Sequence, residues 1–473
     1  MNFKKTVAIA AAAGALAAIS VPAMALENEF HGMYRLFGYA TNALSGAGSF
    51  NTSDKGVDAF FEQRARVQYI AKANDDLKLV THFELDTKFG GAQTSGKYVP
   101  GNGDAGGLDA DKISLETKSV YLDFNCPITG TNVKAGIQPY NDSFGGLFGN
   151  FDATGVVLSK KFGGLSASYG YFTVGQAGAT GVAFGSGHTA QDLNTLDLKY
   201  AVSKDLTVGA NYYAILDKSA SNATLLNHTA GLNAAGKVGP VSLSGAVGMQ
   251  FGKSNPGFTP NGALITTGVA GSTVAAGGVS ATSGSEPGLI NAGTTSYAAS
   301  LAAKIAVGPG SVNVAGLYLS GDKDVSATDT YNHAWQPIGN GVTYFTPANM
   351  WLLTRNAATI NSSTAIGGTT DLTRGGLGIK GIFAGYEGTA DKVFYSGNVG
   401  YAAVDKKRGA NSSSIGTELN ATVGYKLYTN LSASVTAAYL ILGDGYKNKT
   451  TLPGGTVDGE NPFLTNIQLN YVF

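Results

Sequence analysis

The last twelve residues of the chain alternate. Phe463, Thr465, Ile467, Leu469, Tyr471 and Phe473 share one parity, while Leu464, Asn466, Gln468, Asn470 and Val472 share the other. This period of two predicts a strand that is mostly apolar on one face and polar on the other, ending on the terminal Phe. The pattern recurs upstream. Leu206, Val208, Ala210 and Tyr212 alternate with Thr207, Gly209 and Asn211. Val241, Leu243, Gly245, Val247, Met249 and Phe251 alternate with Ser242, Ser244, Ala246, Gly248 and Gln250. Leu431, Ala433, Val435, Ala437, Tyr439 and Ile441 repeat it. Between such runs stand tight-turn signals at Ser203-Lys204-Asp205, Val238-Gly239-Pro240, Gly308-Pro309-Gly310, 388–392 and Tyr428-Thr429-Asn430.

The opposite ends of these hairpins are long and rich in Gly, Ser, Thr and Asn: 41–57, 89–112, 176–191, 253–295, 322–371 and 443–461. The stretch 322–371 also holds His333, Trp335 and Trp351, which predicts local packing there. Short connections on one side and long ones on the other are the habit of transmembrane barrels, and a soluble sandwich gives no reason for them. Candidate strands of roughly 9–13 residues number about 18, allowing two either way. They start near Phe30, Asp58, Leu77, Ile113, Val133, Thr154, Leu165, Asp192, Leu206, Asn227, Val241, Ser296, Ser311, Thr373, Lys392, Ser414, Leu431 and Pro462. At the Ile113 strand, Glu116 and Lys118 share parity with Val120, Leu122 and Phe124, so the register is open or a bulge intervenes. No segment has the 18 or more consecutive apolar residues of a spanning helix. The fold class expected is therefore all-β: a closed antiparallel transmembrane barrel of about 16–18 strands, because a free strand edge has no partner in hydrocarbon.

Composition narrows the setting. Charged residues are 14% of the 473, against about 25% in soluble domains, and Lys+Arg equals Asp+Glu at 32 each. Neutrality argues against a nucleic-acid partner. Residues 1–25 read as a secretory signal, with Lys4 and Lys5, an apolar stretch, and an Ala23-Met24-Ala25 cleavage site. Loss of those two lysines leaves 30 basic against 32 acidic residues, a mature charge near −2. Residues 26–473 then form the barrel.

Charged strand faces concentrate early. Glu62, Arg64, Arg66 and Gln68 oppose Phe61, Ala65, Val67 and Tyr69, while His82, Glu84, Asp86 and Lys88 oppose Leu79, Thr81, Phe83 and Leu85. Arg35 sits on the first strand among aromatic neighbours. A charge facing lipid at mid-depth costs about 2–4 kcal/mol, so these rows are expected to face the lumen. A lumen lined by both signs is wet, and a wet hole through a membrane passes small solutes.

The closing strand, with Tyr471 and terminal Phe473, resembles the insertion signal of Gram-negative outer-membrane barrels, and the whole mature chain resembles the porins of that membrane. In porins a loop after the fifth strand folds inward and its acids face a basic cluster. Here 133–139 would be the fifth strand, and residues 140–153 the matching loop, with Asp142 and Asp152 its only charges. The resemblance implies that these acids face Arg35, Arg64 and Arg66 across the pore and order water between them. The other reading of the two acids is as turn formers.

Taken together these features point to an outer-membrane porin for passive diffusion of ions and small hydrophilic solutes, with no catalytic residue and no cofactor. The expected partners are outer-membrane lipid and lipopolysaccharide, the barrel-assembly machinery and, as in many such barrels, two further copies in a homotrimer. Two alternatives stay open: a substrate-specific channel or exporter, and a barrel that houses an electron-transfer cytochrome. Porins of the general type usually have 16 strands and substrate-specific ones often 18. No dense aromatic row of the kind a sugar slide needs is seen. Other signals are weak. The stretch 91–97 nearly spells a phosphate loop, but Tyr98 replaces the magnesium-binding hydroxyl. Asp104, Asp109 and Asp111 lack calcium-loop spacing, the five His show no HxxxH, and Cys126 stands alone.

Overall fold

The structure, a computed structural model, describes residues 26–42, 57–89, 115–176, 190–220, 223–254, 292–322, 331–338, 345–354, 372, 376–407, 412–445, 450–452, 455–457 and 460–473. The signal segment, the 91–97 motif and Asp104, Asp109 and Asp111 lie outside them.

Eighteen long strands follow one another around a single sheet. They are β1 (Glu27–Thr41), β2 (Asp58–Asn74), β3 (Leu77–Lys88), β4 (Leu115–Asn125), β5 (Asn132–Asn141) and β6 (Asn150–Phe162). Then come β7 (Leu165–Gln176), β8 (Ala190–Ser203), β9 (Leu206–Ala220), β10 (Ala223–Val238), β11 (Val241–Ser254) and β12 (Ala292–Val307). The last are β13 (Gly310–Leu319), β14 (Ile379–Ala390), β15 (Val393–Ala403), β16 (Ser414–Tyr428), β17 (Leu431–Leu442) and β18 (Phe463–Val472). Each pairs antiparallel with its neighbour in sequence, and β18 pairs with β1 in the register Arg35↔Asn470, so the sheet has no edge. The expected closed all-β barrel, at the upper strand count, is what is found.

Two-residue turns occupy one end: 75–76, 163–164, 204–205, 239–240, 308–309, 391–392 and 429–430. Gly163, Gly239 and Gly308 carry φ of 60°, 58° and 57°, the left-handed conformation that primed hairpin turns use. The other end carries the long connections, with one exception: β9 and β10 are joined by 221–222 alone. The strand expected from Thr373 begins six residues later, at Ile379. The awkward parity of β4 has a local cause. The β3–β4 register shifts between His82 and Phe83, where Lys118 is the extra residue of a bulge.

The outer wall is apolar, with Leu301, Ile382, Val435 and Ile467 more than half exposed. At the seam Phe473 exchanges backbone hydrogen bonds with Gly32, and the Tyr471 and Phe473 rings stack at 5.4 Å. The buried apolar cluster lies inside the barrel, where two connections from the long-loop end fold into the lumen.

Candidate channel constriction

The first inward segment is 142–149, between β5 and β6; Tyr140, Asn141 and residues 150–153, expected in the loop, remain in strands. Asp142 organises it. Its carboxylate accepts the backbone N–H groups of Phe144 and Gly146 on one oxygen (2.8 Å each) and those of Phe148 and Gly149 on the other (2.5 and 2.6 Å). Burial pushes this carboxyl above the ordinary carboxylate range while the four N–H donors pull it back down. Gly145 and Gly146, at φ of 75° and 91°, allow the chain to curl round it. The segment is clipped to the wall by Ser143, whose hydroxyl donates to Asp197 on β8 (2.5 Å) and whose N–H donates to the Tyr213 hydroxyl on β9 (2.9 Å). Tyr213 in turn donates to Asp197 at 2.7 Å. Phe144 and Phe148 pack on the Tyr213 ring with centroids 5.8 and 4.9 Å away. Gly231 and Gly248 on β10 and β11 leave the space for Phe144: a Cβ on either would lie within 2.6 Å of its ring.

The second segment comes from the connection between β13 and β14. Tyr331 and Asn332 pair with Gly293 and Thr294 at the end of β12, and the Gln250 side chain then takes both backbone groups of Gln336 (2.7 and 2.8 Å). Further on, Glu418 of β16 is fully buried and accepts the N–H groups of Trp351, Leu352 and Leu353 at 2.7–2.9 Å. Asn420 donates to Glu418 (2.9 Å) and to the Asn349 carbonyl (3.0 Å), and Asn398 donates to Asn420 (2.8 Å). Buried Trp335, Met350, Leu352 and Leu353 supply the apolar contribution. Each such side chain is worth about 1.5–3 kcal/mol, against about 1–2 kcal/mol per residue for fixing the backbone. The margin is narrow, so the carboxylate anchors decide the position.

The two segments join inside the barrel. The Trp335 indole N–H donates to the Leu147 carbonyl (2.7 Å), the Ile338 N–H donates to the Phe148 carbonyl (2.6 Å), and the Phe144 and Trp335 rings meet edge to face at 5.9 Å. The packing expected around Trp335 and Trp351 is present, and it fills part of the lumen.

Across β1–β4 the inner wall is charged, with cross-strand rows Phe37–Glu62–Lys88, Arg35–Arg64–Asp86 and Met33–Arg66–Glu84–Glu116. Arg64 grips Asp86 with two hydrogen bonds (2.7 and 2.5 Å) and reaches Glu84 at 3.3 Å, while Arg66 pairs with Glu84. Arg35 donates through Nε to Asn470 (2.8 Å) and has no carboxylate partner among the described residues. His82 lies next in the row Gln68–His82–Ser119. The structure therefore gathers Arg35, Glu62, Arg64, Arg66, His82, Glu84 and Asp86 on one wall. It does not bring Asp142 and Asp152 to them. Asp142 is spent on its own turn, and Asp152, on the parity of outward-facing Val156 and Leu158, pairs with Lys118 at 2.7 Å. Among the described residues no cluster of three metal-ligating side chains occurs, and Cys126 is a free thiol in the 126–131 turn. Sequence reasoning missed Glu418, Asp197 and Gln250; each is a polar residue on the inner parity of its strand, which is the signal that could have marked them.

The chain matches no protein-family model, and no curated protein matches it. Solved structures do resemble it. OccAB1 of Acinetobacter baumannii has a TM-score of 0.52 at 14% identity, covering 94% of this chain and 97% of its own. The outer membrane protein OprD of Pseudomonas aeruginosa has 0.50 at 13%, covering 96% and 95%. OpdK of Pseudomonas aeruginosa, solved with vanillate, has 0.51 at 11%, covering 94% and 98%. At these identities the likeness is one of fold: a closed antiparallel barrel, here of 18 long strands.

Proposed function

We propose that this protein is an outer-membrane channel that passes small hydrophilic solutes selectively, rather than a wide general-diffusion pore. One observation carries the reading: the first inward segment is clipped to the wall through Ser143 on Asp197 and Tyr213, the second is held by buried Glu418, and the two are joined by the Trp335–Leu147 and Ile338–Phe148 hydrogen bonds. A lumen narrowed by fixed structure forces a solute past the charged wall of β1–β4, where contacts rather than diameter alone sort what enters. Among the described residues the Arg35 guanidinium meets no carboxylate, so small organic anions are the solutes it would favour. The structural relative solved with vanillate supports trying that solute first.

The test is single-channel recording of the purified protein in a planar bilayer. Small, stable ohmic steps that vanillate blocks in a saturable way are expected, with weaker block in Arg35→Gln. Large steps indifferent to every solute tried would return the protein to the general-diffusion class, and a folded barrel with no steps would reject a channel altogether.

A further inference from the structure

We infer that the lumen holds a second solute station, distinct from the charged wall and built for a neutral polyhydroxylated molecule of mono- or disaccharide type. It rests on the reading of the barrel as a channel only in assuming that solutes reach the lumen, and it names a solute class that reading does not.

The station is a recess of about 520 Å³ between the inner wall of β11–β14 and the second inward segment. That is within the ~300–1,000 Å³ of small-molecule sites. Its wall is set by register. Ser242 of β11 stands opposite Lys304 of β12, and Lys304 opposite Asn313 of β13, so three polar side chains lie in a row across strands spaced about 4.8 Å apart. One step along, Ser244 stands opposite Ala302, and Ala302 opposite Ala315, where small side chains leave the room the recess occupies. Glu387 of β14 completes the polar set through its ion pair with Lys304.

The roof is the 3-10 turn Thr346–Ala348. Phe345, Ala348 and Met350 turn into the apolar packing, while Thr346 and Pro347 turn out and line the recess. Asn349 ends that turn in the left-handed conformation (φ 48°, ψ 42°) and is tied to Asn398 and Asn420. Asn adopts that conformation readily at the end of a turn, and the two ties hold it there. The roof is therefore fixed over the wall before any solute arrives.

Two features select the chemical class. First, the side chains of Ser242, Ser244, Asn313 and Thr346 make no hydrogen bond with any described residue, so hydroxyl and amide capacity is open toward the cavity. Second, among the described residues the charged groups lining it are Lys304 and Glu387, already compensated by each other. An ion binding here would have to meet its like charge or break that pair. A neutral polyol meets ammonium, carboxylate, hydroxyl and amide in turn at no such cost, and its C–H faces have Pro347 and Ala302 to rest on.

The test uses the purified full-length barrel in detergent, titrated calorimetrically with sucrose and, as a charged control, vanillate. Sucrose is expected to bind, and Ser242→Ala/Ser244→Ala/Asn313→Ala to weaken it at least about tenfold, the loss of one to two net hydrogen bonds. Because these side chains hold no described residue by a hydrogen bond, the alanines are expected to leave the fold intact, which heat-modifiable gel mobility checks. Ser244→Tyr fills the recess and is expected to abolish sucrose binding by itself. No heat with sucrose at about 50 mM, far above the ~1 mM that corresponds to −4.1 kcal/mol, would overturn the inference. So would equal sucrose affinity in the triple variant, or a vanillate affinity that falls with it. Calorimetry needs no conduction. Lost sucrose binding with bilayer steps intact refutes the station alone, whereas absent steps with binding intact refute the channel reading alone.

Discussion

Replacing Asp142 with Ala removes an acceptor that four buried N–H groups share, at 2.5–2.8 Å. Asp142 is 8% exposed, so water does not readily take its place. A buried donor left without a partner costs about 1–3 kcal/mol. Even at 1 kcal/mol for each, the four donors destabilise the inward position of 142–149 by about 4 kcal/mol. At 1.4 kcal/mol per factor of ten, that shifts the balance between seated and detached segment by nearly a thousandfold. The strands are untouched, because their ladders run from β1 to β18 without this residue. The expected phenotype is thus a folded, heat-modifiable barrel whose single-channel conductance is larger and noisier than that of the parent. The reversal potential in a salt gradient should hardly move, since a carboxylate wrapped in its own backbone does not face passing ions. Unchanged conductance with a clearly shifted reversal potential would refute the reasoning and restore Asp142 as a pore charge.

Three further outcomes follow from the same geometry. Glu418→Ala strips three backbone N–H groups of the second segment of their acceptor and should also raise conductance and current noise, by an amount comparable with Asp142→Ala. Trp335→Phe keeps most of the ring but loses the hydrogen bond to Leu147; flicker between two current levels, from a weakening of about 1 kcal/mol, is the expected recording, and a silent trace would count against coupling of the two segments. Gly32→Val places a Cβ 2.4 Å from the Phe473 ring and 2.6 Å from the Arg66 carbonyl oxygen, so the seam should lose about 1–3 kcal/mol, read as a lower temperature of heat modification.

What the sequence made legible was whatever repeats at short range. Strand parity needs only neighbours, so β9, β11 and β17 began where their alternation begins, and even the β4 bulge left its trace in Glu116 and Lys118. The charged wall was legible for the same reason: Arg64 and Glu84 each sit on the polar parity of an otherwise apolar-alternating strand. The constriction was not. Asp142 and Asp152 are charges of one kind in one loop, and nothing local says that one folds back on its own amides while the other, two positions into β6, points outward to Lys118. The partnership of Glu418 with 351–353, or of Trp335 with Leu147, spans 65 to 188 residues and is written in no periodicity.

The anchors of the two inward segments share a property with a consequence of its own. Asp142 and Glu418 grip main-chain amides, and Gln250 holds a main-chain amide and carbonyl, so what they recognise is a backbone course and not an amino-acid spelling. Positions of the segments whose side chains do no holding can therefore be rewritten, with Asp142, Ser143, Phe144, Gly145, Gly146, Trp335 and the wall stations left as they are. A lineage, or an engineer, could trade one filter for another in the same frame: the barrel is a socket, and its selectivity an exchangeable cartridge.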